Sequence, residues 1–284
     1  MKKILVPTDF SPPAENAAVY ALNFAKSISA NILLCNAIRI PVGAPLAAQV
    51  TRPIVNYDTL KEEVTRELDN LSQKLRGEDI AASLPVYPTI QYKSQAGSVT
   101  TVVSHIFKQE KACLVIMGLS GEGAVSRFFM GSNSRELIDK AKFPVLLVPA
   151  ITKFNGIKKI AFATDLSEGD IEVIHLVADL AAHFNAEVLL AHVSNHNEVD
   201  KVHQRKITAF LSDVTCKINY PRIYYRHINQ HDVNQGLDWL ADHGMIDILV
   251  MVHRHNNLIG DFFHRSHTQK VARNIDIPLL VYPG

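Results

Sequence analysis

The chain opens with MKKILVPTDFS and returns to the same phrase at residues 157–167, IKKIAFATDLS. Both copies set lysines before a short apolar run, then Thr-Asp, one apolar residue and Ser. Other landmarks recur in the same order. The run Asn31 to Ala37 returns as Glu187 to Val193, and Leu114 to Met117 returns within Asp247 to Val252. Phe128-Phe129 returns as Phe262-Phe263, and Pro144-Val145-Leu146-Leu147 as Pro278-Leu279-Leu280-Val281. A repeat on this scale means one fold built twice. The boundary falls near Ala150 to Asn155, giving expected domains 1–150 and 151–284, and 284 residues at 47% hydrophobic suffice for two cores.

Within the first copy, apolar runs alternate with helical spacing. Lys3 to Val6, Ile32 to Ile38, Val86 to Tyr92, Leu114 to Met117 and Pro144 to Val148 are the expected strands. Pro88 suits only an edge strand, because proline brings no N–H to the ladder. Ser11 is the expected N-cap of a first helix whose Ala17, Ala18, Ala21, Leu22, Ala25 and Ile28 share one face. Asp58 to Leu75, a helix capped by Ser98 and running to Gln109, and Ser134 to Lys140 are the other helices. Arg39 to Pro53, rich in Pro and Ala, reads as a loop. Alternating strands and helices imply right-handed crossovers. The expected fold is two tandem doubly wound α/β domains, each a five-stranded parallel sheet with helices on both faces. Ligands of such sheets bind beyond the strands' carboxyl ends, where strand order reverses. If the first and fourth strands are neighbours, Asp9, Ala37 and Gly118 converge on one crevice.

The fourth strand runs into glycines. Gly118, Gly121, Gly123 and Gly131 precede Ser132, Asn133 and the helix Ser134 to Lys140. Glycines admit close backbone approach, and a helix N-terminus carries partial positive charge, so the stretch suits an anion, phosphate above all. The same glycines would also serve a plain turn. No Gly-Lys-Ser/Thr follows them, which excludes a Walker-type loop.

Charge narrows the partners. Net charge is +1, with 16 Lys+Arg against 13 Asp+Glu in residues 1–150 and 13 against 15 in residues 151–284. Neither half carries the basic footprint of a nucleic-acid binder, and no apolar run is long enough to span a bilayer. The expectation is a cytoplasmic protein without nucleic-acid or membrane partners. Cys35, Cys113 and Cys216 show no disulfide or zinc pattern and are expected as reduced core residues.

These residues resemble the universal stress protein family in its tandem, two-domain form, an adenine nucleotide alpha-hydrolase-like fold. The family's loop of Gly, two residues, Gly, nine residues, Gly and Ser/Thr is matched by Gly118, Gly121, Gly131 and Ser132. The turn Leu5 to Asp9, its echo Phe162 to Asp165, and the Pro-led final strands match as well. The resemblance implies that Pro7, Thr8 and Asp9 contact the adenine–ribose part of ATP. It implies that the backbone of Ala37, where the family usually has Val, meets the adenine edge, and that Met117 and Gly118 line the ribose side. It further implies that Gly121, Gly131, Ser132 and Asn133 hold the phosphates, with a divalent ion such as Mg²⁺ beside them. The family pairs domains through the fifth strand. The two halves are therefore expected to pair with each other, and two chains to form a homodimer.

The second copy departs from the loop pattern. Aligning its strand puts His253 and Asn256 at the first two glycines, and Arg265 at the third, with Ser266 kept. ATP binding is therefore expected in the first domain alone. Twelve of the 13 histidines lie in residues 151–284, with His253, His255, His264 and His267 around the degenerate loop. They suit a metal or pH-sensitive anion site, with Asp261 near, or a solvated loop that diverged after losing its nucleotide. His175, His183 and His192 are expected as locally satisfied residues. Ser132 has no evident base and orienter around it, so no catalytic residue is assigned, and Glu122 reads either as a group that positions a water for slow hydrolysis or as a solvated loop charge. The expectation is an ATP-binding stress-response switch. A slow ATPase or adenylyl-transferring enzyme, and an interaction module that binds no nucleotide, are the alternatives.

Overall fold

The computed structural model describes residues 2–39, 57–77, 88–119, 132–194, 201–230, 232–254 and 277–284. The first half runs β1 (Lys3–Pro7), α1 (Pro12–Ser27), β2 (Asn31–Ile38), α2 (Tyr57–Gly77), β3 (Ile90–Ala96), α3 (Val99–Gln109), β4 (Leu114–Leu119), α4 (Ser132–Lys140) and β5 (Val145–Pro149). The second runs β6 (Lys159–Ala163), α5 (Asp170–Phe184), β7 (Glu187–Ser194), α6 (Lys201–Lys217), β8 (Ile223–Asn229), α7 (Val233–His243), β9 (Ile248–His253) and β10 (Leu279–Pro283). The strands form one sheet in the order β3-β2-β1-β4-β5-β10-β9-β6-β7-β8. Each half is parallel, and the halves join through an antiparallel β5–β10 pair with Leu146 opposite Leu280. This is the fifth-strand pairing expected from the sequence. Strand order reverses beside β1 and again beside β6, so each half has its own crevice.

Most strand residues are buried because helices cover both faces of the sheet. On one face, α1, α2, α5 and α6 bury Phe24, Leu68, Leu75, Ile174 and Phe210. On the other, α3, α4 and α7 bury Val103, Ile106, Leu137, Leu237 and Leu240. Both apolar layers run across the seam. Phe154 from the linker stands edge-on to Tyr20 at 5.2 Å, and Phe24 of α1 meets Phe184 of α5 at 5.5 Å. Asn16 Nδ2 fastens the linker by donating to the carbonyls of Pro149 and Thr152 at 3.2 and 3.0 Å.

Three expectations change. The third strand is Ile90–Ala96, not Val86 to Tyr92, and Pro88 lies before it. Pairing begins just past the proline, where Ile32 N–H donates to Thr89 O at 2.9 Å. As expected of its sequence, β3 is a sheet edge. Helix α4 starts at Ser132, two residues before Ser134, and Gly118 lies inside β4. Cys35 is in the core, but Cys113 and Cys216 are exposed. Cys113 precedes β4 at the rim of the sheet, where its Sγ donates to Lys3 O. Among the described residues no helix is long and apolar enough to cross a membrane.

Leu280, 1% exposed, packs at the seam. Leu280→Ala is expected to lower stability by about 2–5 kcal/mol, read from the urea midpoint, since the rigid strands around it cannot close the void.

Candidate functional site

The site begins with a strained turn. Phe10, after Thr8-Asp9, has φ 62°, and Leu166, after Thr164-Asp165, has φ 61°. A left-handed conformation costs a non-glycine residue about 1–2 kcal/mol, and the neighbouring side chains hold it in place. Thr8 Oγ1 accepts from Phe10 N–H at 3.0 Å, and Asp9 Oδ1 from Ser11 N–H at 3.1 Å. Thr164 and Asp165 repeat both bonds at 2.9 and 3.0 Å. This is the physical content of the repeated Thr-Asp-x-Ser. It turns the chain sharply from the strand into the helix and leaves the aspartate at the crevice mouth.

In the first half the crevice is open. A cavity of about 850 Å³ is lined by Pro7, Thr8, Asp9, Ala37, Met117, Gly118, Ser132 and Asn133. Eight of the ten residues singled out in the sequence therefore converge, and the other two, Gly121 and Gly131, lie outside the described residues. So do Glu122, the loop from Ile40 to Pro53, and His255, His264 and His267. Gly118 has a packing role too. A Cβ there would stand 2.5 Å from Pro13 O, so β4 can lie against the first turn of α1 only as glycine.

The cavity has lining residues that sequence reasoning missed. Leu60, Glu63, Val64 and Glu67 of α2 form one helical stripe on its wall, a pattern visible in the i, i+3, i+4, i+7 spacing. Arg39 and Arg135 add two guanidinium groups, and Arg39 Nη2 donates to Asn133 Oδ1 at 2.7 Å. Arg39 follows β2 directly and was read as loop. Asn36, one residue before Ala37, also lines the cavity, and its Nδ2 donates to Thr8 O at 2.8 Å. The walls thus carry carboxylates from α2 and guanidinium groups beside the start of α4, a polarity suited to a ligand with an anionic end.

The second crevice is occupied by the chain itself. Ladder registers fix the correspondence between copies. Val115 and Leu249 are opposite Leu5 and Ala161, and Val145 and Leu279 stand on their other sides. Val252 therefore takes the place of Gly118, and His253 that of Leu119, one residue away from the alignment read in the sequence. The next residue, Arg254, turns back over the crevice. Its Nη1 donates to Asp165 Oδ2 at 2.8 Å, and its Nη2 to Ser167 Oγ and Asp170 Oδ1, both at 2.5 Å. Their counterparts in the first half, Asp9, Ser11 and Ala14, all line the open cavity. Burial opposes ionisation of Asp165, yet the Arg254 charge and the bonds from Ser167 and Arg254 hold its carboxyl below the usual range. Burial pushes Asp170 up, and the Thr164 and Arg254 contacts offset this only in part.

Beside the plug, His192 and His227 are opposite each other on β7 and β8, and α6 brings in His203. Ring centroids lie 5.2 to 5.9 Å apart, and Ser194 Oγ stands 3.3 Å from His203 Nε2 and 2.8 Å from His227 Nε2. His192 Nδ1–H donates to Thr164 O at 2.9 Å, while its buried Nε2 has no partner among the described residues. The expected satisfied ring is thus satisfied at one nitrogen only. His175 and His183 are surface residues beside Asp179, as expected. His253 Nε2 faces Asp139 Oδ1 of α4 at 3.5 Å. Among the described residues no group of His, Cys, Asp and Glu is placed to hold a metal ion.

Fold and crevices define a duplicated doubly wound α/β protein with an open cavity at one crevice and an arginine of the chain itself lying over the other. Comparison with known proteins agrees. The model of the universal stress protein family matches residues 1–149 and again 156–283. The chain belongs to the universal stress protein family, in tandem form. A universal stress protein of Methanocaldococcus jannaschii is 27% identical over 147 residues, 52% of this chain and 81% of its own. One from Thermus aquaticus is 31% identical over 147 residues, 52% of this chain and 98% of its own. The crystal structure of a universal stress protein from Archaeoglobus fulgidus superposes with TM-score 0.67 at 17% identity, covering 99% of this chain and 98% of that one.

Two outcomes follow. Arg254→Met should lower stability by about 2–3 kcal/mol in thermal or urea unfolding, less than for a fully buried pair because the guanidinium is partly exposed. Adding Asp170→Leu should recover most of the loss, since no buried carboxylate is then left alone.

His192 gives a pH dependence. Burial, then the like charges of His203, His227 and Lys206, lower its proton affinity, against the bond to Thr164 O. The unfolded chain then binds the proton more readily, near pH 6.5. The stability that this group contributes is complete above that value and is lost as pH falls through 6.5 towards the lower folded value. His192→Asn, which keeps a donor for Thr164 O, should flatten the fall in unfolding midpoint between about pH 7 and 5. An unchanged slope would contradict this.

Proposed function

We propose that this protein is an ATP-binding stress-response switch that takes one nucleotide per chain, in the first half. The observation that carries the reading is the contrast between the crevices. The same strand-end turn faces an 850 Å³ cavity in one copy and an arginine side chain in the other. The cavity's size, its apolar residues Pro7, Ala37, Val99 and Met117, and the guanidinium groups of Arg39 and Arg135 beside the start of α4 support a base–ribose–phosphate ligand. In this reading Asp9 meets ribose or base. Gly121, Gly131, Ser132 and Asn133 hold the phosphates with Mg²⁺, and Arg39 exchanges Asn133 for phosphate oxygen. Occupancy rather than turnover carries the signal. The setting is cytoplasmic, and two chains associate.

Calorimetric titration of the full chain with Mg-ATP tests this. The expected stoichiometry is one, falling to none in Gly131→Asp with the fold intact. Arg254→Ala should leave it at one, because the second loop still lacks its glycines. Two sites per chain, or phosphate release well above the Gly131→Asp control, would overturn the reading.

A further inference from the structure

We propose that Thr8 and Asn36 form a paired donor and acceptor in the cavity that reads the amino edge of the ligand's base, with Asn36 setting base preference. This inference rests on the nucleotide reading above. A carbonyl oxygen only accepts, so the bond to Thr8 O must come from Asn36 Nδ2, and the amide orientation is fixed. Oδ1 is left over on a side chain that is 9% exposed and lines the cavity, and it accepts no hydrogen bond among the described residues. Thr8 Oγ1 accepts from Phe10 N–H, and its own proton has no acceptor among the described residues.

The second copy shows what the first omits. There His192 Nδ1–H replaces Asn36 Nδ2 on Thr164 O, so the bond to the turn is kept. The Thr164 hydroxyl donates to Asp170 Oδ2 at 2.6 Å. Ladder register puts Ala14 in the place of Asp170, and alanine takes no proton. In the copy with a cavity, therefore, a hydroxyl donor and an amide acceptor belong to two adjoining residues that both line it. In the filled copy the same hydroxyl is used internally. Both residues line the cavity, so a ligand seated there is placed to pair these two groups. The complement is an exocyclic N–H beside a ring nitrogen lone pair, as on adenine. In the same orientation guanine would set a carbonyl oxygen against Asn36 Oδ1.

Calorimetry of the full chain with Mg-ATP, Mg-GTP and purine riboside triphosphate, which lacks the 6-amino group, separates the terms. Wild type should prefer ATP to purine riboside triphosphate by about three- to tenfold, one hydrogen bond's share, with GTP weaker than ATP. Asn36→Val should bring the ATP to purine riboside triphosphate ratio to about one. Asn36→His keeps the donor to Thr8 O, as in the second copy, and should melt like wild type. The wild-type comparison needs no variant, so a misfolded Asn36→Val leaves the idea open to refutation. Triphosphates that bind without base preference, or a preference unchanged in Asn36→Val, would overturn the proposal while the nucleotide site stands. Binding of none of them would remove both.

Discussion

The open cavity depends on how closely α1 is pressed onto β4. At Gly118 the strand backbone meets the carbonyl of Pro13 at a distance no side chain permits. That contact fixes the first turn of α1, and with it Ser11, Asp9 and the left-handed Phe10. In the second copy Val252 occupies the strand position, and the helix yields instead. Helix α5 begins at Asp170, while ladder register makes Glu168 the counterpart of Pro12. Its N-cap is Gly169, with no side-chain cap bond, where α1 is capped by Ser11. One β-branched residue and a delayed helix start thus go together, and between them the crevice changes shape.

The change in shape is matched by a change in charge. Asp9 and Asp165 sit on the same turn with the same backbone donors. Among the described residues only the second is ion-paired with a guanidinium, and only the second has a further carboxylate, Asp170, behind it. Arg254 satisfies both, and its planar fork of donors suits that task better than a lysine would. Without the arginine, Asp170, 1% exposed, would hold a buried, unpaired charge. Asp9 needs none because its surroundings stay open to a ligand or to water. The two copies are alternative solutions to one electrostatic problem.

The sequence showed the repeat, the sheet type and the seam, because each is written in apolar runs that recur in order. It misplaced what depends on register or on the third dimension. The third strand slipped because Gln91, Tyr92, Lys93 and Ser94 are polar, as befits a sheet edge, so periodicity favoured the more apolar stretch before Pro88. His253 was set at the first glycine because similarity after β9 is too thin to fix a single residue, whereas the hydrogen-bonded ladder counts it exactly once. Arg39, just past β2, was read as loop, and Asn36 was passed over for a different reason. Side chains alternate along a strand, so attention to Ala37 looked away from its neighbour, and only the packing of α2 shows that this face lines the cavity too. Arg254 carried no signal of its internal ion pairs, since its partners are 84 to 89 residues away.

On the reading proposed above the second copy takes no nucleotide, yet it keeps its core and its strained turn. The sheet supplies a reason independent of any ligand. Without β10, strand β5 would end the first half as an apolar edge, with Val145, Leu146, Leu147 and Val148 all buried only because something covers them. Such an edge templates pairing with other chains. In this chain the partner is built in and antiparallel. The linker is held by Asn16, and the aromatic side chains of α1 and α5 close around Phe154. Selection on the second half can therefore act through the seam alone. Its crevice can then carry Val252 where the first has Gly118 and Asp170 where the first has Ala14, provided that β10 stays in register.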